Sequence, residues 1–164
     1  MSLKNLLGKI QVELQEREKA HESVQRDMRR ATRLSKQAIL FTHQQRFKDA
    51  KKLLKEATAL FSELHSVSET YPDMVYSGLV DAAFQEYAEA QTLLILVEEN
   101  RFISPEDINV PSIDYVLGLA DVIGELRRRA LDLLCKEDVR TAENCLHLME
   151  DIYVELMSMD EAYM

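Results

Sequence analysis

Glycine and proline are scarce, four and three in 164 residues, which leaves the chain few places to turn sharply. Cysteine is scarcer still. Cys135 and Cys145 form neither a C-x-x-C motif nor a paired pattern, which speaks against a disulfide framework and for reduced thiols in a cytoplasmic protein. There is no secretory h-region and no apolar run of the length that spans a bilayer, so a soluble chain without membrane partners is expected. G-x-S-x-G, P-loop and G-x-G-x-x-G sequences are all missing. The histidines, His21, His43, His65 and His147, lack metal-ligand spacing and read as surface or capping residues. Nothing repeats: Phe47 to Ala57 looks like half of a tetratricopeptide unit with no second copy.

What the chain does have is helical rhythm. Apolar residues recur at i, i+3, i+4 and i+7 over long stretches, which predicts an all-α fold in one domain, residues 1–164. The first helix is expected from about Leu3 to Thr42. A second carries Phe47, Ala50, Leu54, Ala57, Phe61 and Leu64 on one stripe and is broken by Tyr71-Pro72-Asp73. A third spans roughly Met74 to Glu99; within it Leu93 to Val97 is apolar on every side and must be buried deeply or between subunits. Asn100 to Pro111 reads as a linker in which Ser104-Pro105 opens a short turn. Ser112 is placed to cap a fourth helix from Ile113 to about Cys135, and a fifth begins near Asp138 and continues past Leu156. Met149, Met157, Met159 and Met164 read as core or interface filler.

The formal charge of −9 is unevenly spread. Between Arg26 and Lys55 ten Lys and Arg face only Asp27 and Asp49, a net of +8, so the remainder carries −17. At ~100° per residue, Arg26, Arg29, Arg30, Arg33 and Lys36 fall within an arc of about 120°, opposite Val24, Met28, Ala31 and Ala38. Such a stripe is either a solvated face or a track for phosphates, whose contacts come mainly from Lys and Arg.

Two pairs of carboxylates sit at helical spacing in apolar surroundings: Glu86 with Glu89, and Asp121 with Glu125. Residues three or four apart share a helix face, so each pair can aim two carboxylates at one point, as hard cations require. On the third helix Asp81, Gln85, Thr92 and Glu99 form the polar sector, whereas Glu86 and Glu89 point inward with Leu79, Ala82, Leu93 and Val97. Buried carboxylates need a cation or a partner. On the fourth, Asp114, Gly118, Asp121, Glu125 and Asp132 form one stripe; Gly118 leaves room for something to approach the backbone, although tight helix packing is a second reason for it and for Gly124. A metal site and salt bridges to Arg127, Arg128 or Arg129 both fit this spacing.

At these residues the sequence resembles the translin family, in particular its translin-associated factor X branch. The likeness rests on Tyr71-Pro72, on Gln85-Glu86-Tyr87-Ala88-Glu89-Ala90, and on the run from Asp114 to Leu126 with Arg128. It implies an antiparallel bundle of about five to six long helices that assembles into a closed, hollow, usually octameric shell. Single-stranded or short duplex RNA binds inside, with Arg26, Arg29, Arg30, Arg33 and Lys36 holding phosphates. In the factor X branch the shell is a Mg²⁺-dependent endoribonuclease, with Mn²⁺ as a substitute. Carried over, Glu86, Glu89 and Asp121 match the catalytic carboxylates and metal ligands, Glu125 the acid that completes the metal site, and Asp114 a further matching acid. The linker Asn100 to Pro111 is shorter than that branch's insertion, and no final family helix precedes Met164. Stripe and acids on one short chain suit a prokaryotic, archaeal-type homo-oligomer. The alternative is a non-catalytic shell that only binds single-stranded RNA or DNA.

Overall fold

Long helices form where the sequence gives the chain no way to turn. The computed structural model describes residues 2–161 and contains five of them: α1 (Leu3–His43), α2 (Phe47–Thr70), α3 (Gly78–Glu99), α4 (Ser112–Cys135) and α5 (Val139–Glu161). The fold is all-α, with no strand among the described residues; Met164, expected as filler, lies outside them. No helix among the described residues is long and apolar enough to cross a membrane.

Helix ends follow local chemistry. The chain turns into α2 and α5 through Gln45 and Glu137 and leaves α3 at Asn100, all in the left-handed region (φ 59°, 62° and 52°) without a glycine. Asp138 caps α5 by accepting from the Thr141 amide at 3.2 Å. Two expected boundaries move. Helix α3 starts at Gly78 rather than Met74, because Pro72–Val75 forms a separate 3₁₀ turn and Ser77 then caps α3 by accepting from the Val80 amide. Ser112 does not cap α4 but is its first residue; the extended Pro111 precedes it, and the Pro111 carbonyl accepts from the Tyr115 amide at 2.9 Å. The turn after Ser104 forms as expected, with Ser104 and Asp107 each bonding the other's amide.

Packing runs α2–α1–α3–α4–α5, with α3 flanked by α1 and α4 and touching α2 as well. That position buries it on almost every side. Leu93, Leu94, Ile95 and Leu96 are all buried, as their all-round apolar character predicted. It also corrects the expected polar sector: Thr92 is fully buried, while Ala82, expected inside, is exposed. Gly118 on α4 lies directly against α3. A Cβ there would stand 2.6 Å from the Gln85 carbonyl oxygen and 2.9 Å from the Glu89 nitrogen, so close helix packing, not room for a ligand, accounts for this glycine. Gly124 packs against nothing.

One part of the bundle is barely covered. Residues 2–19 of the chain are exposed; Arg17 pairs with Asp73 and lies over the Tyr71 ring, and α1 has buried residues only from Val24 onward. Leu3, Leu7, Ile10 and Leu14 continue the spacing of the buried Val24, Met28 and Ala31, yet are 42% to 69% exposed. On α5, Val139, Leu146, Tyr153 and Met157 are uncovered as well.

Candidate metal and RNA site

The acids identified in the sequence come together where α1, α3 and α4 meet. The close approach at Gly118 sets α4 so that Asp121, one turn on, faces Gln85, and Gln85 Nε2 donates to Asp121 Oδ2 at 2.6 Å. Glu125, a further turn along, accepts from His43 Nε2 at 2.5 Å and lies 3.7 Å from the Arg128 guanidinium. On α3, Glu86 pairs with Lys36 Nζ at 3.0 Å.

Glu89 is the exception. It is buried and makes no ion pair or side-chain hydrogen bond among the described residues. Burial, and then the negative charges of Glu86, Asp121 and Glu125, push its carboxyl up to about 8; Lys36 opposes them weakly. Near neutral pH Glu89 therefore holds a proton. Asp114 is also buried and raised, by desolvation and then by Asp81, but it belongs to the start of α4.

The donor chemistry, carboxylate oxygens around a charge-starved buried glutamate, fits a hard divalent cation. As the side chains lie, no three His, Cys, Asp or Glu among the described residues stand close enough to hold one. Each outer acid is turned to a neighbour instead: Glu86 to Lys36, Asp121 to Gln85, Glu125 to His43. Of the arginine salt bridges that the spacing allowed, only Arg128 with Glu125 forms among the described residues.

Two participants escaped the sequence reading. His43, expected at the surface or as a cap, has a side chain only 6% exposed and aimed into the site. Gln85 was placed in a polar sector but bridges to Asp121. For His43 a signal existed: it lies seven residues after Lys36, on the same face of α1.

The cationic stripe keeps four of its five members. Arg26, Arg29, Arg30 and Arg33 are exposed and line an open groove of about 760 Å³ with Glu22 and Glu63. Arg26 pairs with Asp27 at 3.0 Å and Arg30 with Glu56 at 3.5 Å, while Arg29 and Arg33 make no ion pair among the described residues. Lys36, expected beside them as a phosphate contact, is turned to Glu86 because that carboxylate is the stronger local partner.

The Translin family model matches residues 19–163 of this chain. An uncharacterized protein of Methanocaldococcus jannaschii is 35% identical over 115 residues, covering 70% of this chain and 49% of that protein. A translin-associated protein X homolog of Schizosaccharomyces pombe is 31% identical over 129 residues, covering 70% of this chain and 56% of its own length. The chain thus spans about half the length of the curated relatives it matches. Among solved structures, apo-NeC3PO superposes with a TM-score of 0.86 at 27% identity, over 97% of this chain and 84% of the other. AfC3PO in complex with duplex RNA superposes with a TM-score of 0.81 at 30% identity, over 94% and 79%.

Proposed function

This chain belongs to the translin family, and on that premise we propose that it is an endoribonuclease subunit that binds RNA along its arginine stripe and cuts it at a Mg²⁺ site. Glu86, Glu89, Asp121 and Glu125 hold the cation, with Mn²⁺ able to replace Mg²⁺. The observation that carries the reading is Glu89: buried, without a partner, and facing three further acids that nothing in a merely structural core requires. Bound there, the cation would lower the pKa of a water and stabilise charge developing on the phosphate. The protein's own part is to carry four carboxylates on the facing helices α3 and α4, to fix Glu125 through His43, and to keep phosphates within reach through Arg29 and Arg33. Single-stranded and short duplex RNA both suit a groove that reads phosphates and not bases. Support for RNA as the substrate comes from the likeness to a protein solved with duplex RNA.

We further propose a closed homo-oligomer, most simply of eight subunits. The uncovered apolar stripes on α1 and α5 are what such an assembly would bury.

A second reading, an RNA-binding shell without cleavage, draws on the outer acids being turned away from a common point. One experiment separates the two. Labelled single-stranded RNA is incubated with the protein in Mg²⁺ and in chelator, alongside Glu89→Gln and Asp121→Asn. The nuclease reading expects cleavage only in Mg²⁺, lost in both variants while RNA affinity is kept, because an amide preserves shape but not the charge that holds the cation. Binding without Mg²⁺-dependent cleavage by the parent protein would overturn it and favour the passive shell.

A further inference from the structure

The outer carboxylates are each held by a neighbour, but the neighbours differ in kind. Gln85 is neutral and His43 is packed, its side chain 6% exposed. Lys36 is a full positive charge on a flexible stem, with a side chain 62% exposed. It reaches from α1 to place Nζ 3.0 Å from Glu86, one helical turn from Glu89 on α3. An exposed Lys–Glu pair is ordinarily worth little and would attract no notice. This one sits beside a second, buried carboxylate, whose upward shift Lys36 opposes weakly. His43 follows two turns later on the same helix face, so α1 presents both side chains to the acids of α3 and α4.

We infer that Lys36 is an internal counter-ion: in the metal-free protein its ammonium stands in for the divalent cation at Glu86 and Glu89, and it must swing outward for that cation to enter. The inference rests on the metal site proposed above. Lysine suits the task. Its ammonium is a compact point charge on a four-carbon stem, easily withdrawn, whereas a guanidinium would grip the carboxylate through two bonds and resist leaving. Outward movement carries the ammonium toward Arg33 and Arg29, three and seven residues back on the same helix, where it joins the groove that faces phosphates. Metal entry then adds a cation to the RNA track, and RNA, by drawing Lys36 outward, favours metal entry. The coupling is reciprocal, as linkage demands.

The test uses the full chain with Mg²⁺ alone as the probe and no RNA. Mg²⁺ is titrated by calorimetry and by thermal unfolding into the parent protein, Lys36→Met and Lys36→Gln; two variants guard against one that folds poorly, and the exposure of Lys36 favours both. Removing the competitor should tighten Mg²⁺ binding by about fivefold or more, the lower end of typical coupling between sites. The rise in Tm at a given Mg²⁺ concentration should grow accordingly. Equal or weaker Mg²⁺ binding by the variants, with clear binding by the parent, would overturn the counter-ion role and leave the metal site standing. If parent and variants alike show neither heat nor a Tm shift with Mg²⁺ or Mn²⁺, the metal site itself falls, and Lys36 with Glu86 is an ordinary ion pair.

Discussion

Glu89 concentrates the energetic problem of the molecule in one side chain. Its carboxyl is raised from 4.5 to about 8, so between those values the folded state keeps a proton that the unfolded chain has released. Folding therefore takes up a proton in that window, and in chelator the stability must fall as pH rises from about 4.5 to 8, then level off. The steepest slope is about 1.4 kcal/mol per pH unit for one such group. Urea unfolding across pH 5 to 8 measures it. Glu89→Gln should flatten the profile and stabilise the metal-free protein at the alkaline end, since an amide has no charge to desolvate. Saturating Mg²⁺ should flatten the parent's profile too, because the cation takes the proton's place. A parent profile that is the same with and without Mg²⁺ would detach Glu89 from any metal. The inward position of Glu89 was legible from helical spacing; its lack of a partner was not, because that depends on which side chains α1 and α4 bring to it.

At the scale of elements, two glycines on one helix separate packing from propensity. Gly118→Ala would drive a methyl group into the backbone of α3, 2.6 Å from the Gln85 oxygen, where no side-chain rotation relieves the clash. Overpacking of this kind costs about 1–3 kcal/mol. The parting of α3 from α4 should also cost RNA cleavage, because Glu89 and Asp121 sit on the two helices that move. Gly124→Ala meets nothing within 4 Å and should stabilise α4 by about 0.5–1 kcal/mol through helix propensity alone. Denaturant melts of both variants beside the cleavage assay check the contrast, and a Gly118→Ala protein as stable and active as its parent would refute it. From the sequence tight packing fitted both glycines, and only the structure shows that it holds for Gly118 alone. Periodicity and caps made the helices readable almost to their ends, with errors at Met74 and Ser112 where proline intervened. The touching faces of two helices distant in sequence leave no mark on either helix alone, so the pairing of Lys36 with Glu86 stayed hidden while the stripe that contains Lys36 did not.

For the whole molecule, the uncovered residues matter as much as the buried ones. Leu3, Leu7, Ile10 and Leu14 lie in helical phase with Val24, Met28, Ala31 and Ala38 across the polar Arg17 and His21, but burial begins only at Val24. Light scattering should find a closed assembly. Leu7→Asp with Ile10→Asp should reduce it to smaller species of unchanged helicity and melting cooperativity, because neither residue touches the core that α1 shares with α2 and α3. A parent protein that stays monomeric at all concentrations would overturn the assembly. The reach of α1 adds a further consequence. At 1.5 Å per residue the stretch before Leu14 extends ~18 Å past its last contacts with the bundle, so a tilt of about 4° at its root moves the tip by more than ~1 Å. Such a lever turns small changes near Arg17 and its contacts Tyr71 and Asp73 into large changes of curvature, and the number of subunits that close a ring would then be tuned from the root of the arm, without altering any residue that one subunit shows to the next.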